Sequence, residues 1–153
     1  MALRVSLITV PQKEPRNIDA EIELLKRQLR TNGSIPAQVF GESMLPLVRE
    51  GQLVTVYPLE IGRLKRFDVV VFWSGQRWII HYVWHFNEIP GASGERVFIT
   101  RGLNVRGEDS PVAESKILGI AKEIEIPIRY RLREVICRLL SRWLPLLAPK
   151  RGF

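Results

Sequence analysis

Along this chain the apolar positions change their period, and each change marks an element. From Asn17 to Thr31 the apolar residues Ile18, Ile22, Leu25 and Leu29 recur at helical spacing. Asn17 or Asp19 can cap the start and Gly33 can stop the end, which predicts one amphipathic helix. The period then shortens to two: Ser34 to Phe40 and Leu53 to Tyr57 are short β-type runs on either side of the compact segment GESMLPLVREG. The run DVVVFW, Asp68 to Trp73, is followed by Ser74-Gly75-Gln76 and by RWIIHYVWHF, a pattern that predicts a hairpin turned by the Ser-Gly pair. Further strands are expected at 96–100 and 116–126. Many short strands with turn signals between them predict a coiled or barrel-like β domain over residues 34–127.

Helical spacing returns at the end, where Leu132, Val135, Ile136, Leu139, Leu140, Trp143 and Leu144 share one face and Arg131, Arg138 and Arg142 lie elsewhere on the wheel. The expected fold is therefore mainly β, with an amphipathic helix in an N-terminal extension (1–33) and a basic amphipathic helix and tail at the C-terminus (128–153). The C-terminal stripe can pack on the β domain or on a partner subunit, or lie on an anionic membrane face as a peripheral contact.

Composition narrows the class. A chain of 153 residues with 46% hydrophobic and 25% charged residues fits one globular domain, without the depletion that marks disorder. The net charge of +7 suits nucleic acid, anionic headgroups or an acidic peptide and does not choose among them. Nucleic acid is the weakest of the three, because the arginines gather on the terminal helix and no helix-turn-helix or stacking motif is present. A single cysteine, Cys137, excludes an internal disulfide framework and a multi-cysteine metal site. The stretch MALRVSLITV is too short for a secretory core and is broken at Pro11, and no apolar run reaches the length of a spanning helix. A cytoplasmic protein is expected, at most peripheral to the membrane.

Two places carry candidate chemistry. Gly41 to Pro46, GESMLP, puts a serine after an extended run in a turn loosened by Gly41 and closed by Pro46. A turn serine would look the same. A serine becomes a nucleophile only with a base in hydrogen-bond reach and a group to orient that base. The two histidines, His81 and His85, lie on one predicted strand, and strict alternation would put them on one face with Ile79 and Val83. At that spacing they stand about 13 Å apart, too far to share a metal ion, so no metal and no cofactor is expected.

Taken in order, GESMLP, VREGQLVTV, RFDVVVF, WIIHYVW, ITRGLNVRGEDS and KILGIAKEI resemble the motif series of type I signal peptidases and of the SOS-repressor-like autopeptidases related to them. The resemblance covers residues 41–120, just over half of the chain. In that family a serine box is followed by a strand, by a second strand bearing the base, by a turn with an acid and by a closing strand. No lysine occurs between Lys65 and Lys116, and His81 stands at the base position, so the resemblance implies the histidine style found in archaeal and endoplasmic-reticulum members. By position it implies Ser43 as nucleophile, His81 as general base and Asp109 as the acid that orients it, with Gly41, Met44 and Pro46 in substrate contact. Asp68 matches a family aspartate whose expected work is to hold the turn at a strand start. The chain departs from the pattern at Leu103, at Tyr82, at Gln52 and at Gly41, which removes a side-chain oxyanion donor and leaves the Ser43 backbone N–H in that role.

What the resemblance implies is a soluble serine endopeptidase that cuts a signal or leader peptide from a precursor after a small residue. The alternative is an inactive module of the same fold that holds the peptide for recognition. Nothing in the sequence fixes an oligomeric state.

Overall fold

The computed structural model describes residues 4–7, 17–60, 62–88 and 96–136. Among the described residues eight strands form one antiparallel sheet: β1 (Arg4–Leu7), β2 (Ile35–Phe40), β3 (Leu53–Pro58), β4 (Val69–Trp73), β5 (Trp78–Glu88), β6 (Arg96–Arg101), β7 (Val112–Ala113) and β8 (Ile117–Ile120). Their order is β1-β2-β3-β8-β4-β5-β6-β7. A further pairing, Val5 opposite Trp78, joins β1 to β5, so the first strand meets the middle of the sheet again.

Helix α1 (Ile18–Asn32) begins where the Asn17 side chain accepts the Ala20 N–H at 3.3 Å. It ends at Gly33, whose φ of 76° lets its N–H turn back to the Leu29 carbonyl at 2.9 Å. Ile22, Leu25 and Leu29 are buried, as the spacing predicts, each worth roughly 1.5–3 kcal/mol of transfer from water.

Alternation along the strands produces a core on each side of the sheet. Val69, Val71, Ile80, Tyr82 and Trp84 pack with the α1 stripe, Met44 and Ile126 on one side. Val70, Phe72, Ile79, Val83, Phe98 and Ile117 form the core on the other. The predicted hairpin is present, with β4 and β5 paired from Val69–Tyr82 to Trp73–Trp78 and Ser74 N–H bonded to the Arg77 carbonyl.

Several expectations change. The strand expected over 116–126 ends at Ile120, because its neighbour runs out: Ala121 N–H makes a last rung to the Val69 carbonyl at 2.8 Å, and Val69 is the first residue of β4. Within the expected N-terminal extension, β1 pairs with β2 and the buried face of α1 packs in the sheet's core. The two histidines do not share a face. A bulge between Val83 and His85 shifts the register, so that Val83 stands opposite Thr100 while His85 stands opposite Ile99. Ile99 belongs to the α1 side, and His81 lies among Ile79 and Val83 on the other.

Residues 128–136 form a second helix, α2. Its Glu134 pairs with Arg101 at 2.5 Å, and Arg131 Nε donates to the Ile126 carbonyl. Of the expected stripe Leu132 and Ile136 are exposed and Val135 is half-buried, and Ile128 at the start of the helix is exposed as well. Leu139, Leu140, Trp143, Leu144 and Cys137 fall outside the described residues.

Candidate functional site

Strand β2 runs into the serine turn within three residues, Gly41 taking a φ of 102° on the way. Met44 anchors the turn: its side chain is fully buried in the α1-side core, and its carbonyl accepts the N–H groups of Leu47 and Val48 at 2.9 and 3.1 Å. Leu45 N–H bonds back to the Glu42 carbonyl, and Pro46, exposed, follows a cis peptide bond. The residues expected to meet substrate thus divide by place. Gly41 and Pro46 are at least partly accessible, whereas Met44 points inward and holds the loop.

The register of β5 aims His81 at this turn. His81 stands opposite Val70 on β4, and its ring lies 6.3 Å from that of Phe72. Ser43 Oγ is 2.8 Å from His81 Nε2, and His81 Nδ1 is 2.5 Å from Asp109 Oδ2. Three residues separated by 38 and 28 positions in the chain therefore form one line of polar contacts. Ser43 is 2% and His81 1% exposed, while the Asp109 side chain retains 26%.

Asp109 is held by β6. Thr100 Oγ1 donates to Asp109 Oδ2 at 2.7 Å, and Asp109 N–H donates to the Thr100 carbonyl at 2.9 Å. The same Oδ2 receives both Thr100 and His81, which fixes the carboxylate against rotation. The ring's Nδ1–H then points at the carboxylate, and Nε2 is left to accept the Ser43 hydroxyl.

The turn after β6 closes the other side. Asn104 N–H donates to the Ser43 carbonyl at 2.7 Å, and its side-chain amide to the Glu42 carbonyl at 3.3 Å. Gly102 permits this approach, since a Cβ there would stand 2.9 Å from both His81 Nε2 and the Ser43 carbonyl. Neither Thr100, Gly102 nor Asn104 is assigned a role from the sequence, although all lie in the ITRGLN turn that carries the resemblance. A threonine and a glycine in a turn are too common to signal contact with a distant imidazole.

No family model, no curated protein and no solved structure matches the chain. Asp68 holds the turn before β4, its carboxylate accepting the Lys65 N–H at 2.7 Å and its carbonyl the Val83 N–H at 2.8 Å. Glu108 is exposed beside Asp109. Among the described residues no three or more His, Cys, Asp or Glu side chains gather as a metal ion would need. A cleft of about 630 Å³ opens against Asp109, between Phe72, Ile79, Arg77 and Ala113.

Proposed function

We propose that the protein is a serine endopeptidase of the signal-peptidase type, its sheet coiled into the barrel-like domain of that family, which cleaves a signal or leader peptide from a precursor. The observation that carries the reading is the unbroken Ser43–His81–Asp109 line at 2.8 and 2.5 Å. A serine hydroxyl bonded to a buried imidazole, itself bonded to a carboxylate, is the arrangement that lowers the barrier to acyl transfer.

In the first step Ser43 Oγ attacks the scissile carbonyl carbon while its proton passes to His81 Nε2, and the carbonyl oxygen takes the negative charge. Asp109 balances the imidazolium. The oxyanion is received by backbone N–H groups, that of Ser43 among them, and such donors contribute about 2.7–4 kcal/mol in other peptidases. As the C–N bond breaks, His81 returns the proton to the departing amine, leaving an acyl ester on Ser43. Water then adds to the ester with its proton taken by His81, and the collapse restores the serine hydroxyl and releases the acid.

The test is labelling by a fluorophosphonate probe together with mass spectrometry of a cleaved leader-type peptide. Wild type is expected to label, and Ser43→Ala to lose both labelling and cleavage, with His81→Ala reduced by a factor on the order of 10⁴ or more. Cleavage that survives Ser43→Ala would sink the reading. An inactive peptide-holding module is the second reading, favoured by the depth of Ser43, and it would give peptide binding without labelling.

The basic C-terminal helix supplies a second surface. Ile128, Leu132 and Ile136 are exposed at helical spacing, with the arginines Arg129 and Arg133 exposed beside them. A peripheral contact with an anionic membrane face, from the cytoplasmic side, is the partner this surface fits. No helix among the described residues is long and apolar enough to cross a membrane.

A further inference from the structure

Ser43 sits where two peptide planes meet, and Asn104 holds both of them. Its backbone N–H donates to the Ser43 carbonyl at 2.7 Å, and its side-chain amide donates to the Glu42 carbonyl at 3.3 Å. The Glu42 carbonyl also accepts the Leu45 N–H at 3.1 Å. In a trans peptide the C=O of one residue and the N–H of the next point in opposite directions. With the Glu42 carbonyl turned to Asn104, the Ser43 N–H is therefore turned away from it. That N–H has no acceptor among the described residues, although Ser43 is buried. A buried donor left unpaired costs about as much as a lost hydrogen bond, so its direction is one the fold maintains at a cost.

The turn that delivers Asn104 is fixed at its base and along its length. Asp109 N–H bonds to the Thr100 carbonyl at 2.9 Å, which closes the base. Val105 lies against Gly102, where an added Cβ would come within 2.5 Å of the valine methyl. One turn thus brings Asp109 to the imidazole and Asn104 to the serine. Asn104 itself is exposed, so its side chain holds no part of the apolar core.

We propose that Asn104 is a positioning residue for the oxyanion donor: by fixing the Glu42–Ser43 plane, its side chain keeps the Ser43 N–H aimed at the carbonyl oxygen that turns negative when Ser43 Oγ attacks. The proposal rests on the peptidase reading. Position 41 is a glycine and offers no side-chain donor, so the direction of the backbone N–H matters the more. The donor acts mainly on the charge that develops in the transition state, and the loss of its aim falls on turnover rather than on peptide binding.

Asn104→Ala in the full chain removes the side-chain bond and leaves the backbone one. With the leader-type peptide that wild type cleaves, kcat is expected to fall about tenfold to a hundredfold while KM stays within about twofold. A peptide aldehyde ending at the cleavage residue separates this effect from weaker peptide binding. Ser43 Oγ adds to the aldehyde carbon, the C=O electron pair moves to the oxygen and His81 takes the hydroxyl proton, so an oxyanion forms with no leaving group. The corresponding peptide alcohol binds without forming a bond. In the variant the inhibition constant of the aldehyde is expected to rise in step with the loss of kcat, and that of the alcohol to stay as in wild type. Should the alanine variant not fold, Asn104→Asp, of the same shape but without the donor, takes its place with the same expectations. An unchanged kcat, or equal losses for aldehyde and alcohol, would overturn the role of Asn104 and leave the peptidase reading standing. A wild type that neither cleaves the peptide nor labels with the fluorophosphonate overturns both.

Discussion

Thr100 and His81 share one oxygen of Asp109, and that sharing gives the residue scale its sharpest consequence. A hydrogen bond to a charged group is worth about 1.5–3 kcal/mol. Thr100→Val keeps the shape of the side chain and removes the donor, freeing the carboxylate to turn away from the imidazole. The expected loss in kcat/KM is about tenfold to a hundredfold, with Thr100→Ser largely restoring it, measured on the cleaved leader-type peptide. Equal rates in the valine and serine variants would show that the hydroxyl does not position Asp109. Ser43, His81 and Asp109 were legible because several motifs appear in one order along the chain. Thr100 and Gly102 were not, since their work depends on how close β6 comes to the serine turn, a distance no local pattern encodes.

The elements show the same division between local and distant causes. Helix α1 and the β4–β5 hairpin follow from caps, period and a two-strand turn, all of them local. The end of β8 depends on where β4 begins, the bulge in β5 on its pairing with β6, and β1 on edges offered by strands far along the chain. Strand β5 also carries a prediction of its own. Tyr82 is buried with its ring 5.8 Å from Phe67 and 6.5 Å from Trp84, and its hydroxyl has no hydrogen-bond partner among the described residues. Burial, and then the nearby Glu134 charge, push its phenol well above the ordinary tyrosine range. The folded chain therefore holds this proton at a pH where the unfolded chain releases it. The stability it represents is intact below pH about 10 and is lost as the pH rises further. Tyr57, raised by its hydrogen bond to Glu123, acts in the same direction from the surface. In Tyr82→Phe the fall in melting temperature between about pH 9 and 11 is expected to become shallower, without loss of stability at neutral pH, because an unpaired hydroxyl has been removed. An unchanged alkaline slope by differential scanning calorimetry would contradict this.

At the scale of the whole molecule, the +7 charge becomes directional through α2. Sequence periodicity placed Leu132 and Ile136 on an apolar stripe but could not say what covers it; in the described turns of α2 both are exposed, together with Ile128. The helix is fastened by its other side. Glu134 turns inward to Arg101, so its negative charge is spent within the fold while Arg129 and Arg133 stay outside. An apolar row flanked by exposed arginines is matched to an anionic bilayer surface, where each cation near the headgroups is worth about 1 kcal/mol and the row enters the acyl boundary. The protein is therefore expected to sediment with vesicles containing about 30% phosphatidylserine, and to be released from them by salt as screening shortens the reach of the arginines. Vesicles of phosphatidylcholine alone should retain much less. Leu132→Glu lies on the exposed stripe, so it should leave the melting temperature nearly unchanged while abolishing sedimentation. If the glutamate variant binds as wild type does, the stripe is not the lipid contact; if both vesicle types bind alike, the arginines are not what attracts it.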